Sequence, residues 1–249
     1  MRYFYSSLLL MMTTAGLSAV QAEPVYQQFK VGNVIIDVVK IKDFQKLKLY
    51  LNNRQQQPYQ NFAAVAQDLR PCEQLKFAMN AGMYHANFAP VGLYIENYKT
   101  STPLNARSGY GNFFMQPNGV LAWNNKTATI QTTQAFKKSA FPARFATQSG
   151  PMLLSAGKIN PAFIADSSSV KIRNGVGIKD QQLYFAISRQ PLNFYQFAQL
   201  FKQTLAVTDA LYLDGSVSSA YIAQIQTHNN SSALGPMLVY SQHRHNCPN

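Results

Sequence analysis

From Asn33 to Ile41 the chain reads NVIIDVVKI, a β-branched run that predicts a strand, paired with the VYQQFKV just before it. Phe44–Leu51 (FQKLKLYL) alternates less regularly and predicts a further strand. After the polar loop NNRQQQPYQ, apolar residues in Asn61–Leu69 recur at helical spacing behind a capping asparagine and stop before Pro71. LKFAMNAGMY reads as a buried strand entering a turn, and VGLYIENYK as another strand. NFFMQPNGVLAW has a hairpin pattern with Pro117-Asn118-Gly119 at its tip, and TATIQTT follows as partner. RFATQSGPMLLSAGKI holds a strand, a Ser-Gly-Pro break and a second short strand. KIRNGVGIKDQQLYFAISRQ predicts a hairpin turning at Lys179-Asp180-Gln181. The clearest helix is Asn193–Leu205, where Phe194, Phe197, Leu200, Phe201 and Leu205 form one stripe. It leads into ALYLDG as a strand, and LGPMLVYS closes the sheet.

Many strands, two substantial helices and no internal repeat point to an α+β, mixed α/β class. The helix ahead of ALYLDG predicts one strand–helix–strand crossover, and the hairpins elsewhere predict a mixed, largely antiparallel sheet with a few helices. A chain of 249 residues can bury one sizeable core, so a single domain over residues 23–249 is expected. Residues 1–22 read as a secretory signal: Arg2, an apolar SSLLLMMTTAGLSAV, and VQA ending at Ala22. That stretch is too short and too interrupted by Thr, Ser and Gly to span a membrane. The expected product is a soluble periplasmic or secreted protein, not membrane-spanning. Its two cysteines, Cys72 and Cys247, lack metal-site spacing; one disulfide tying the tail to the middle of the chain, or two unrelated thiols, are both open.

A net charge of +12 suits anionic partners such as phosphorylated glycans or lipid head groups, or reflects a basic proteome, and by itself decides nothing. The Lys and Arg are scattered and no nucleic-acid motif stands out, so nucleic acid is not an expected partner. Against this basic background the chain has only ten carboxylates. Asp214 differs from the rest, because it ends an apolar strand and precedes a glycine, where folds place working groups. The plain alternative is a carboxylate capping its own turn. MNAGMYH sets Asn80 at a strand end and Gly82 where a backbone can come close to a ligand. QSGP offers the Ser149 hydroxyl and bare backbone at Gly150. Arg173, in KIRNGVGI, either grips a phosphate bidentately or is an ordinary surface charge. GSVSS lacks the Gly-x-Ser-x-Gly elbow, and no phosphate-loop or dinucleotide fingerprint is present. His243–His245 lacks ligand partners at defined spacing, so no metal site is expected. No cofactor is called for, and no ligand cluster indicates a divalent cation.

Taken in order, NAGMY, TQSGPMLL, KIRNGVGI and ALYLDGSVSSAY resemble the phosphodiester glycosidase family. PVGLYIENYK and GNFFMQPNGV extend the likeness over about residues 77–240, toward the small exported bacterial branch of that family. The resemblance implies a mixed α/β fold with the motif loops gathered at one site. It carries site roles onto Asn80 and Gly82, onto Ser149 and Gly150, onto Arg173 and Gly177, and onto Asp214, Gly215, Ser218 and Ser219. The chain departs from the family where three glycines often follow the aspartate: here the residues are Gly215, Ser216 and Val217. The implied reaction suits a chain poor in acids. Ordinary glycosidases use two carboxylates, one of them to protonate an alkoxide. A sugar on a phosphodiester leaves phosphate instead, an anion that needs little protonation. Asp214 is then nucleophile, base or electrostatic stabiliser at the anomeric carbon, and Arg173 balances the phosphate charge. Asn80, Ser149 and Ser218 bind sugar hydroxyls or phosphate oxygens, and Tyr84 either stacks on the sugar or packs in the core. A reading from another class is an exported binding module for a phosphorylated glycan, without turnover.

Overall fold

In the computed structural model, which describes residues 24–228, 232–244 and 247, the chain forms three sheets. The expected signal and His245 lie outside the described residues. The β-branched run pairs as its sequence suggests: Val34–Ile41 lies antiparallel to Val25–Val31, from Val25 opposite Lys40 to Val31 opposite Val34. These two strands begin a seven-stranded sheet that continues, in space, with Gln182–Ser188, Asn174–Lys179, Asp209–Tyr212, Met152–Ser155 and Lys158–Ile159. A second sheet orders Thr227–His228, Ala220–Ile222, Glu73–Asn80, Met237–His243 and Leu47–Tyr50. The third orders Lys99–Thr102, Tyr94–Glu96, Phe145–Ser149, Gly119–Trp123 and Ala128–Thr132. One hydrophobic core draws on all three, with Val39 and Phe185 from the first, Phe77 and Tyr240 from the second, and Leu121 and Trp123 from the third.

Every strand pairing among the described residues is antiparallel. With 41% strand against 13% helix, the fold is richer in strand than a balanced α+β protein. The predicted crossover is present. Gln182–Ser188 and Asp209–Tyr212 flank Asn174–Lys179 antiparallel on either side, so the two run in the same direction. Between them comes the helix Phe194–Gln199, widening into a π turn at Leu200–Thr204. Asn193 caps it reciprocally: its side chain takes the Gln196 N–H, and the Gln196 side chain takes the Asn193 N–H. Phe197, Leu200 and Phe201 bury against Ile36, Val38, Leu153 and Ala210 of the first sheet. A side chain at Gly177 would run into Phe201 and Val207, which is why the strand is bare beneath the helix.

Three local readings change. Pro117-Asn118-Gly119 is not a hairpin tip, because the Asn118 amide is spent on Phe113 O (3.0 Å). The hairpin instead pairs Gly119–Trp123 with Ala128–Thr132, and Asn124 Oδ1 accepts the Lys126 and Thr127 N–H groups in its turn. VGLYIENYK does not stay one strand but folds back at Asn97-Tyr98, both with positive φ. LGPMLVYS does not close a single sheet: Met237–His243 runs through the interior of the second one, between Glu73–Asn80 and Leu47–Tyr50. A short helix at Thr133–Lys138, capped by Thr132, was not foreseen.

Cys72 and Cys247 are bonded, with Cα atoms 5.7 Å apart and 175 positions between them. The adjoining Arg244 N–H donates to Cys72 O at 2.7 Å. Replacing both cysteines by serine is expected to lower the unfolding free energy by about 2–5 kcal/mol, measured by urea denaturation, because the open chain regains loop entropy.

Candidate active site

Three chain segments that end or begin strands meet where the first and second sheets join. The Leu213 N–H donates to Asn174 O at 3.1 Å, Asp214 N–H to Ala81 O at 3.0 Å, and Asn80 N–H to Ser219 O at 3.3 Å. The side chain of Asn80, 1% exposed, occupies the middle of this seam. Its Nδ2 donates to Asp214 O at 2.6 Å, and its Oδ1 accepts from Ser219 N and from Asn174 Nδ2, both at 2.9 Å. Ser218 Oγ donates to Ile172 O at 3.1 Å and lies 3.2 Å from Asn174 Oδ1. Asn80, Asn174, Ser218 and Ser219 therefore hold the loop that carries Asp214.

Asp214 itself is buried. Its Oδ1 accepts the Ser216 N–H at 3.1 Å and caps the short turn Gly215–Val217, so the turn-capping role is real. Burial raises its carboxyl above the usual aspartate range, and the Ser216 hydrogen bonds only partly oppose that. The next residue is glycine for an internal reason: a Cβ at Gly215 would collide with the Tyr212 hydroxyl.

Arg173 is not a surface charge. It is 1% exposed, lies 3.7 Å from the centre of the Phe194 ring, and forms no ion pair among the described residues. Nε donates to Leu192 O at 2.8 Å, Nη2 to Ser169 O at 2.9 Å, and Nη1 to Tyr212 Oη at 3.2 Å. Those bonds use three of the five N–H groups of a guanidinium and leave one on each terminal nitrogen. Burial pushes the Arg173 pKa down, with Tyr212 opposing. Tyr212 in turn is pushed up to about 12, mainly by burial, with Arg173 lowering it and Asp214 raising it. The Tyr212 phenol thus sits in the fields of both the cation and the carboxylate.

The other candidates fall around this seam with one exception. Ser149 is fully buried and its hydroxyl has no partner among the described residues. The following Gly150-Pro151 peptide is cis, and Pro151 O accepts the Tyr212 N–H at 3.0 Å. A Cβ at Gly150 would press on Phe113 O and Asn118; one at Gly82 would meet Gln148 O and the Thr147 hydroxyl. What approaches Gly82 is therefore the protein's own strand, and its N–H donates to Thr147 Oγ1 at 3.1 Å. Tyr84 donates to Ala233 O at 2.7 Å and stacks on Phe88; burial and then the Asp214 charge raise its pKa. Gly177 is the exception, under the helix. Val217 packs against the cluster of Tyr59, Phe62 and Val65, so the departure from a glycine run is taken up by the interior. Asn174, which bridges Asn80 and Ser218, was missed by sequence reasoning; its place one residue after Arg173 was the available signal. Among the described residues no three His, Cys, Asp or Glu side chains gather as a metal site, and no helix is long and apolar enough to cross a membrane.

Comparison with known proteins bears on the whole arrangement. Residues 73–240 match the family model described as phosphodiester glycosidase. Escherichia coli (strain K12) uncharacterized protein YigE is 41% identical over 179 residues, covering 72% of this chain and 70% of its own. The fold is similar to the zebrafish N-acetylglucosamine-1-phosphodiester α-N-acetylglucosaminidase catalytic domain auto-inhibited by pro-peptide, with a TM-score of 0.60. That alignment covers 87% of this chain and 81% of the other at 14% identity, a likeness of fold.

Two stability measurements follow from the seam. Asn80→Ala strands the buried Ser219 N–H and Asp214 carbonyl, whereas Asn174 Nδ2 keeps its bond to the residue-80 carbonyl, so urea denaturation should show a loss of at least about 2 kcal/mol. Asp214 has a folded pKa above its unfolded value, so its contribution to stability is full below about pH 3.9 and lost as pH rises through the folded value. Asp214→Asn should therefore gain melting temperature relative to the parent between about pH 4 and about pH 7. An unchanged difference across that range would show that burial does not strain the carboxylate.

Proposed function

The chain belongs to the phosphodiester glycosidase family, and from that premise we propose that it hydrolyses a glycosyl-1-phosphodiester in a phosphorylated glycan or glycolipid. In this reaction the bond from the anomeric carbon to the phosphate oxygen breaks, the phosphate departs as a monoester anion, and water supplies the new anomeric hydroxyl. The observation that carries the reading is a buried carboxylate two residues after Tyr212, together with a buried guanidinium that bonds the Tyr212 hydroxyl and has no acid partner among the described residues. Positive charge develops on the sugar in the transition state and negative charge grows on the phosphate. Asp214 serves the first as nucleophile, base or electrostatic stabiliser. Arg173 serves the second with its unneutralised charge and its two remaining N–H groups. The unpartnered Ser149 hydroxyl suits a substrate oxygen. On this reading the protein works in the periplasm or outside the cell.

The net charge of +12 suits a second reading, a binding module for the same phosphorylated glycans that performs no turnover. Incubation with a panel of sugar-1-phosphodiesters, with and without chelator, separates the two. The hydrolase releases new reducing ends; a binder gains melting temperature with ligand and releases none. For the hydrolase, Asp214→Asn is expected to lower kcat/KM by about 10²–10⁴-fold. Because the working carboxylate must be ionised, activity should fall as pH drops through a midpoint above the ordinary aspartate value of about 3.9. Turnover undiminished in both Asp214→Asn and Arg173→Ala would end the assignment.

A further inference from the structure

Among the described residues the large apolar side chains left exposed are Tyr98, Tyr110, Ile164 and Val170. Two of these share one irregular strap, residues 161–170, and the strap reaches Arg173: Ser169, itself exposed, accepts from Nη2 at 2.9 Å. The strap is tied down along its length. Buried Asn160 fixes its start, with Nδ2 donating to Met152 O at 3.1 Å and Oδ1 accepting the Ala162 N–H at 3.0 Å. Lys171 closes it by exchanging backbone hydrogen bonds with Leu192. In between, Asn193 Nδ2 donates to Ala165 O at 2.9 Å and to Ser167 O at 3.2 Å. The carbonyls of Ala165, Ser167 and Ser169 are thus drawn inward, while Ile164 stays 65% exposed and Val170 49%. Apolar groups held outward by an anchored segment mark a contact surface.

Both tips adjoin the shell of the guanidinium. Phe163, next to Ile164, stacks on Phe194 with ring centres 4.9 Å apart and planes 8° from parallel. The Phe194 ring centre in turn lies 3.7 Å from Arg173 Cζ. Val170 follows Ser169, the residue bonded to Nη2. Met83, Phe163 and Phe194 are half-buried and pack on the cluster that contains Tyr212. A cation with no acid partner among the described residues therefore borders an apolar surface that runs out to exposed aliphatic tips. Charge followed by hydrocarbon is complementary to the phosphate ester of a long-chain alcohol. A sugar in that place would need donors and acceptors at the tips, and Ile164 and Val170 have none. Asp166 and Lys171 oppose each other in sign, so the contact made by the strap is apolar rather than electrostatic. Ser167, Ser168 and Ser169, lying between the tips, suit the polar layer of lipid head groups.

Resting on the hydrolase reading above, we infer that the strap seats on a lipid bilayer and that the aglycone of the substrate is a lipid chain, running from the phosphate at Arg173 past Phe194 and Phe163 to the membrane at Ile164 and Val170. Binding is read by sedimentation with vesicles of phosphatidylglycerol and phosphatidylcholine. The protein is expected to co-sediment, and Ile164→Asp and Val170→Asp are each expected to weaken binding about tenfold. Tyr98→Asp makes the same change of charge at an exposed apolar position in a turn of the third sheet, and binding there is expected to hold. Thermal melts check that all three variants are folded. Kinetics are read with sugar-1-phosphodiesters that end in a methyl and in a dodecyl group. The dodecyl ester is expected to show a kcat/KM at least about tenfold higher, and Ile164→Asp to shrink that ratio. No co-sedimentation, binding undiminished in both strap variants, or an equal loss in Tyr98→Asp overturns the inference. Equal kcat/KM for the two esters also overturns it and leaves the hydrolase reading standing. Co-sedimentation lost in the strap variants, with neither ester hydrolysed, upholds the membrane seat and removes the hydrolase reading.

Discussion

One buried amide holds the site together. The Asn80 side chain bonds to the backbone of the Asp214 loop from one atom and to Ser219 and Asn174 from the other, at the line where two sheets meet. An amide suits that place because it donates and accepts at once without bringing charge, and a buried polar group in a low-dielectric interior must be fully partnered to stabilise anything. Had a carboxylate stood there, Asp214 would face a like charge. Had an apolar residue stood there, two buried polar groups, Asp214 O and Ser219 N–H, would lose their partner. The catalytic assignment inherits this constraint, since Asp214 can be set in a dry position only if the loop bearing it cannot relax toward water.

The same economy governs the charges. Arg173 is enclosed by carbonyl oxygens, a phenol and an aromatic face rather than by a carboxylate. Carbonyl dipoles and a ring quadrupole steady a cation without cancelling its charge, as an ion pair would. Its field therefore survives at Tyr212, and with it the field of Asp214. Three of the other acids are engaged with partners of their own: Asp37 with Arg189, Glu73 with Arg70, and Glu96 with the Tyr94 hydroxyl. A chain with few carboxylates can leave a guanidinium unneutralised.

Much of this is legible in the sequence. β-branched runs marked the long strands, the stripe from Phe194 to Leu205 marked the main helix, and Asn80, Arg173 and Asp214 stood out at strand ends and Ser149 in a turn. Sheet membership was not legible, because a period of two says which face a residue takes and nothing about which sheet its strand joins. Glycines misled in a consistent way. Gly82, Gly150, Gly177 and Gly215 all mark close approach, but what comes close is the protein itself. Bareness in a sequence does not say for whom the room is left. The burial of Arg173 was hidden because its stacking partner, Phe194, belongs to a stripe that reads as ordinary helix packing. Asn174 was hidden because Asn-Gly suggests a turn, whereas here it opens a strand.

The placement of Met237–His243 in the middle of the second sheet reaches beyond the site. Leu47–Tyr50 leaves the ribosome early yet has no strand to pair with until that segment follows it, and Glu73–Asn80 has none before Ala220–Ile222. Closure of the sheet joins residues far apart along the polypeptide, the kind of topology that folds slowly. Asn80 and the Asp214 loop can then settle only late in synthesis, so a nascent chain remains loosely organised around the seam while it is being made.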